Sequence, residues 1–283
     1  MLRLSSLRYL LLPLLLAATL SACATRPPAT DREALAEFEA TNDPLEPFNR
    51  SMYAVNRAVD TVVLVPVATA YRTLVPPPVR TGVRNALGNL RAPTILLNDV
   101  LQGNLARAQV TAGRFLINST LGLGGLVDVA EWQFGLRGHA EDFGQTLAVW
   151  GVSEGPYLFL PVFGPSNPRD LVGTAVDAVA SPWFWFGQGA VVEGLRWGRL
   201  GLTIVDTRES VLDSLDALER MSLDPYAALR SAYRQRRNAE IRNQGIQAPE
   251  AAGAGFGAGM GVPASAVPGA AAPANTAPAP AAR

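Results

Sequence analysis

The chain has 283 residues, 48% hydrophobic and only 17% charged, with 24 basic and 24 acidic residues that cancel, where soluble domains usually carry about 25% charge. Such a balance supplies no cationic field to draw the protein onto nucleic acid. Every basic residue is Arg, with one His and one Cys, which excludes phosphate-loop and Schiff-base lysine chemistry and leaves a zinc site, a Cys/His nucleophile or a disulfide framework without partners.

Residues 1–22 read as an address and not as part of the fold. Arg3 and Arg8 precede an uncharged, Leu-rich run from Tyr9 to Leu20, the layout of a secretory signal. The closing Leu20-Ser21-Ala22-Cys23 resembles the lipobox of bacterial lipoproteins. That resemblance implies cleavage before Cys23, acylation of its thiol and of the new amino terminus, and, with Ala24 and not Asp following, sorting to the outer membrane. Several acyl chains exceed the two signals that stable anchoring takes. Residues 23–41 then form a lipidated tether with a short helix. From 244 to 283 the sequence is Ala, Pro and Gly with only Glu250 and Arg283 charged, read as a disordered tail because it cannot bury a core. The folded body is 42–243, the size of one domain.

That body reads as helical. Met52, Val55, Val59 and Val62 recur at helical period with Arg50, Arg57 and Asp60 off the stripe, and Pro66 should kink or end the segment. Val79, Val83, Leu87 and Leu90 repeat the pattern, as do Leu105, Ala108, Ala112, Phe115 and Leu116, then Val211, Leu215, Leu218 and Met221, then Tyr226, Leu229 and Tyr233. Asp43-Pro44 and Asp224-Pro225 each place a capping residue before a proline suited to a first turn, and Glu46 completes a capping box with Asp43. Only Tyr157 to Phe163, between Gly155-Pro156 and Gly164-Pro165, suggests extended chain. Four uncharged runs, 61–71, 115–127, 155–168 and 178–192, are each shorter than the roughly 20 apolar residues of a spanning helix. The last contains Trp183, Phe184, Trp185 and Phe186, either a core cluster after Ser181-Pro182 or an interfacial belt; a lipid anchor favours immersion.

Four stretches resemble the MlaA/VacJ family of outer-membrane phospholipid-transport lipoproteins. The first is Asn42, Asp43, Pro44, Leu45, Glu46, Pro47, Phe48, Asn49 and Arg50, with Met52, Tyr53 and Asn56. The second runs from Arg114-Phe115 through Asn118, Thr120, Gly122, Gly124-Gly125 and Asp128. The third runs from Glu141-Asp142-Phe143-Gly144-Gln145-Thr146-Leu147 through Trp150-Gly151-Val152, Gly155-Pro156-Tyr157, Leu160-Pro161 and Gly164 to Arg169-Asp170, and the fourth is Ser222-Leu223-Asp224-Pro225-Tyr226 with Tyr233.

The resemblance implies an all-α fold, a single helical domain forming a ring partly embedded in the inner leaflet of the outer membrane around a central amphipathic channel. It implies partnership with trimeric outer-membrane porins and passage of mislocalised phospholipids to a periplasmic carrier of the MlaC kind. No cofactor or metal belongs to that picture. Gly151, Gly155 and Gly164 are expected to bound a mobile hairpin over the channel mouth or a static turn, and Gly122, Gly124 and Gly125 to give a loop backbone freedom. Arg80, Arg84 and Arg91 either meet phosphate oxygens or form a solvated flank. The Asp43 to Arg50 segment is expected to cap and orient the first long helix, with Phe48 packing back onto it.

Two rivals stand against transport. A lipid hydrolase lacks parts: His139 is the one imidazole, no G-x-S-x-G elbow occurs, and Val127 stands where a dinucleotide loop at Gly122 needs Gly. Glu141, Asp142 and Glu154 remain as acid–base candidates, although such carboxylates usually cap helices, and no enzyme is expected. A non-transporting adaptor for a porin or cell-wall partner fits the same residues.

Overall fold

The computed structural model describes residues 27–28, 30–185 and 189–243. The expectations for the signal region 1–22, for Cys23, for Phe186 and for the tail 244–283 lie outside the described residues. Helix α1 (Arg32–Thr41) is capped by Asp31, whose carboxylate accepts from the Ala34 amide, and ends at Asn42 in the left-handed region, φ 52°. Helix α2 (Glu46–Val59) runs through a π-helical turn (Asp60–Leu64) into α3 (Val65–Leu74). Pro66 has no N–H for the ladder and sits in the first turn of α3, so the wider turn before it absorbs the missing bond and the helix is not ended. Across Val75-Pro76 the chain bends by 118° into α4 (Pro77–Leu101). No described helix is by itself long and apolar enough to cross a membrane.

Helix α5 (Leu105–Thr120), capped by Asn104, packs along α4 and is followed by the short α6 (Val129–Phe134), capped by Asp128. Helix α7 (Phe143–Val149), capped by Asp142, leads to strands β1 (Leu158–Leu160) and β2 (Gly164–Ser166), an antiparallel hairpin pairing Leu158 with Ser166 and Leu160 with Gly164. The extended run expected over 157–163 is thus β1 and the hairpin turn, and β2 adds a strand beyond it. Then come α8 (Pro168–Ala180), α9 (Pro182–Trp185), α10 (Ala190–Ser210), α11 (Leu212–Met221) and α12 (Pro225–Ile241). Asp224 caps α12 by accepting from the Ala227 amide, with Pro225 in the first turn, as the Asp-Pro pair predicts.

Burial is inverted relative to a water-soluble domain. Among the described residues, twenty polar or charged side chains are buried against twelve apolar ones, five of those alanine, while thirty-four large apolar side chains are exposed. The Val55, Val59 and Val62 stripe of α2 and the π-turn faces outward, Val62 being 74% exposed. Trp183, Phe184 and Trp185 are also exposed, the two indoles donating to the Leu90 and Val179 carbonyls, so they are not a core cluster.

The apolar core that does exist is one aromatic knot. Tyr157, Phe159, Tyr226, Leu229, Ala232 and Tyr233 are buried together, with Met52, Tyr53, Leu215 and Leu218 against them. Tyr53 meets Phe159 and Tyr226 edge-on at 5.6 and 5.8 Å, an arrangement that suits the ring quadrupoles. Two asparagines one heptad apart bolt the hairpin to α2 beside this knot. Asn49 donates to the Tyr157 carbonyl and accepts from the Phe159 amide, and Asn56 does the same with the Leu160 carbonyl and Val162 amide. Their amide groups stand in for a neighbouring strand.

Helices α7 and α8 cross at Gly144 and Gly173. A Cβ on Gly173 would lie 2.3 Å from the Gly144 nitrogen, so this contact needs bare backbone on both sides. Gly173→Ala is expected to force the helices apart and destabilise the fold by about 1–3 kcal/mol, the cost of overpacking. A thermal melt of the purified variant that superimposes on wild type would refute the close crossing.

Candidate functional site

The helices are arranged round a cavity of about 240 Å³. Its wall is supplied in turn by α4, the start of α7, the hairpin, α8, α10 and α12. Apolar wall comes from Leu87, Leu160, Phe163, Leu171 and Leu200, and charge from Arg91, Glu141, Asp142, Asp170, Asp177, Arg199, Arg236, Arg237 and Glu240. The spacing of the polar residues is helical: Asp170, Thr174 and Asp177 on α8 with Ser181 at its C-terminal cap, and Arg199, Thr203 and Thr207 on α10, so each helix turns one polar stripe inward.

Most of the interior charge is matched. Arg237 donates to Asp142 at 2.7 Å, to Asp170 at 2.8 Å and to Glu240 at 3.0 Å. Tyr233 adds a hydrogen bond to Asp170. Burial raises the Asp142 and Asp170 carboxyls, but the Arg237 charge and hydrogen bonds outweigh it and hold both below the usual carboxylate range. A second cluster joins α10 to α3 and α4. Arg72 and Arg80 pair with Glu209, Arg84 with Asp206 and Glu209, and Tyr71 donates to Asp206. A third holds the π-turn, where Arg208 makes two bonds to Asp60 at 2.6 and 2.8 Å. A fourth ties α5 to α6 through Arg114, Asn118 and Asp128.

These clusters reassign the arginines marked in the sequence. Arg80 and Arg84 are neither phosphate ligands nor a solvated flank; their carboxylate partners lie more than a hundred residues away on α10. Arg91 lines the cavity. The cavity residue that sequence reasoning missed is Arg199, whose guanidinium has no hydrogen-bond or ion-pair partner among the described residues and whose pKa is lowered by desolvation alone.

The amino-terminal segment works as a clasp. Asn42 donates to Glu154 and to the Gly155 carbonyl, and its own carbonyl accepts from Tyr157. Asp43 does not cap α2, as the capping-box spacing suggests. It is buried and accepts from Asn49, Tyr226 and Arg230, because interior donors outcompete the exposed helix start. Arg50 pairs with Glu46 and Asp224 and stacks 4.6 Å over the Tyr226 ring. Pro44 and Phe48 are half-buried beside these bonds.

The glycines fall in three settings. Gly151, Gly155 and Gly164 all have positive φ, and Gly155 packs on Pro168. Gly122 is a close approach, where a Cβ would sit 2.2 Å from the Val127 carbonyl oxygen. Gly124 and Gly125 have positive φ, and between them and Gly122 Leu123 is also left-handed, with its side chain 72% exposed. His139 is not on the cavity wall; it lies between α4 and α5, 2.9 Å from Asp99, and the nearby Thr111 hydroxyl donates to that carboxylate.

Two lining carboxyls are displaced upward by burial. Glu141 is pushed from 4.5 to about 7, despite Gln102 and Arg107, and Asp177 from 3.8 to about 6, despite the Phe143 amide and Asn98. Between pH 4.5 and 7 the folded protein keeps a proton on Glu141 that the unfolded chain has released, so stability from this group is lost as pH rises through that window. Glu141→Gln does not titrate. Its stability relative to wild type should therefore improve with pH by at most about 1.4 kcal/mol per unit and level off above about 7. Denaturation midpoints of the two proteins across that range and about one unit to either side check this, and a difference flat with pH contradicts it.

The family model for the MlaA lipoprotein matches residues 41–240. The intermembrane phospholipid transport system lipoprotein MlaA of Escherichia coli (strain K12) is 39% identical over 219 residues, covering 75% of this chain and 83% of the relative. The protein of the same name from Haemophilus influenzae is 35% identical over 230 residues, covering 81% and 88%. A solved structure from work on the structural basis for maintenance of bacterial outer membrane lipid asymmetry superimposes with a TM-score of 0.61 at 36% identity, covering 70% of this chain and 98% of that one. A family match over most of the chain, with relatives sharing more than a third of their residues across most of their length, shows that the chain belongs to the MlaA family of membrane-associated lipoproteins.

Proposed function

We propose that this protein is an outer-membrane lipoprotein that removes mislocalised phospholipids from the outer leaflet through its central cavity and hands them to a periplasmic lipid carrier, maintaining lipid asymmetry. One observation carries the reading: a charged cavity enclosed by helices whose outer surface is apolar. In water such an exterior would be an aggregation hazard; in the acyl region of a bilayer it is solvated. Inside, a phosphate meets charge and hydroxyls while acyl chains lie on Leu87, Phe163 and Leu200, so the head group avoids the several kcal/mol that a bare charge costs in a dry interior. The names of the relatives agree with this chemistry.

The exposed Trp132, Trp150, Trp183, Trp185 and Trp197 have the polar-tipped rings that favour the membrane interface, and Cys23 would supply the anchor. Trimeric porins are the expected neighbours of the apolar outer face. The matched charges do no chemistry on the lipid in this reading; they keep a polar lumen open. A passive passage lowers the barrier equally in both directions, so direction comes from the carrier. The hairpin supplies Leu160, Phe163, Pro165 and Ser166 to the wall, so a shift about Gly151 and Gly155 would change the bore.

In cells lacking the protein, outer-leaflet phospholipid, read by outer-membrane phospholipase or acyltransferase activity, should rise, and it should rise likewise with Cys23→Ala. Unchanged levels in both would favour an adaptor that holds a porin or cell-wall partner without moving lipid. Gly155 has φ 72°, a value the proline ring forbids, so Gly155→Pro should also raise outer-leaflet phospholipid; normal asymmetry in that variant would remove the hinge from the mechanism.

A further inference from the structure

Within the cavity, charge matching fails at two places. Asp142 and Asp170 are held by Arg237, Glu240 by Arg236 and Arg237, and Glu141 by Arg107 at 2.9 Å. Asp177 on α8 makes no ion pair among the described residues. Its oxygens accept from the Asn98 amide and the Phe143 N–H, each at 2.9 Å, and Arg91 acts on it only at longer range. Arg199 on α10 is an exposed residue of the cavity wall, and its guanidinium has no anionic partner among the described residues. One unmatched carboxylate and one unmatched guanidinium therefore face the same cavity without pairing with each other. Held this way for the fold alone, the partly buried Asp177 would carry a desolvation cost with no cation to offset it, while Arg199 is exposed and free to meet an anion.

We infer that Arg199 and Asp177 form a two-point site for a phosphodiester that carries an ammonium group, the head-group chemistry of phosphatidylethanolamine, with Arg199 taking the phosphate and Asp177 the ammonium. A guanidinium fork suits phosphate oxygens. A carboxylate whose two oxygens already accept one neutral donor each still has lone pairs for an ammonium. Phosphatidylglycerol satisfies Arg199 and leaves Asp177 unmatched, so the cavity distinguishes the two lipids by one ion pair. Burial raises the Asp177 carboxyl, as expected for an anion awaiting its cation. The same chemistry exists in soluble glycerophosphoethanolamine, but Leu87, Phe163 and Leu200 in the wall suit a molecule with acyl chains. This inference deepens the lipid-passage reading and rests on it.

The test is lipid retention by the purified full-length protein equilibrated with vesicles of equimolar dioleoyl phosphatidylethanolamine and dioleoyl phosphatidylglycerol, with bound lipid counted by mass spectrometry. Bound lipid should be enriched about two- to fivefold in phosphatidylethanolamine, the discrimination of one partly exposed ion pair. Asp177→Asn should return the ratio to that of the vesicles. Because that substitution also alters the acceptor of the Phe143 amide, a second arm leaves the protein untouched: N-acetyl phosphatidylethanolamine, which keeps the phosphate and loses the ammonium, should show no enrichment. Arg199→Gln, which removes no polar contact among the described residues, should lower retention of both lipids together. An input ratio in the wild type, or enrichment that survives N-acetylation, overturns the head-group site while leaving the passage standing. Equal displacement by soluble glycerophosphoethanolamine at matched concentration overturns the lipid assignment in favour of the small diester. Failure of the passage itself is read separately, in the outer-leaflet assay.

Discussion

The interior of this protein is held together by charges that need one another. With an apolar exterior suited to lipid, little hydrophobic free energy is available from turning helices inward, and the helices are joined instead by guanidinium–carboxylate contacts. Arg237 collects three acidic residues from the cap of α7, from α8 and from α12, and Glu209 collects three arginines from α3 and α4. Removing one partner from such a cluster strands the others in a low dielectric, which costs far more than the pair contributes. Exclusive use of Arg fits this constraint. Guanidinium stays charged on burial and binds carboxylates in forked geometry, whereas a buried ammonium readily gives up its proton. The lumen is thus permanently polar.

The same constraint explains the aromatic knot. Where α2, α12 and the hairpin meet, rings pack edge to face, and the Tyr226 and Tyr233 hydroxyls go to Asp43 and Asp170. The knot therefore fuses an apolar contact with the charged network, and it fixes the hairpin that forms one wall of the cavity. Asn49 and Asn56 complete the attachment by satisfying backbone groups that a two-stranded ribbon leaves open.

Helical periodicity makes most elements readable in the sequence, as do the Asp224-Pro225 start of α12 and the extended run at 157–163. What periodicity does not carry is the sidedness of the helices. An outward apolar stripe and an inward one look alike in one dimension, so Val55, Val59 and Val62 give no sign of which medium they meet. Asp43 is ambiguous for a related reason: a carboxylate three residues before Glu looks like a cap until Tyr226 and Arg230 arrive from far along the chain. Arg80 and Arg84 stand out in the sequence and Arg199 does not, because a residue's partner, or its lack of one, is a property of the folded arrangement. The motif spacings mark Asn42, Asn49 and Arg50 while leaving their bonding partners invisible.

The clasp has a consequence for the order in which the molecule is made. Asn42, Asp43, Asn49 and Arg50 close onto Glu154, the hairpin, Asp224, Tyr226 and Arg230, joining the first helices of the body to its last. Contacts of such long sequence separation form late, because the intervening chain must first be ordered. Until α12 has emerged, α2 has no lid for its aromatic side and the circuit of helices is an open arc with its polar lumen exposed along one edge. Closure is thus a single final event, and a chain cut short before residue 224 lacks the helix that completes the circuit.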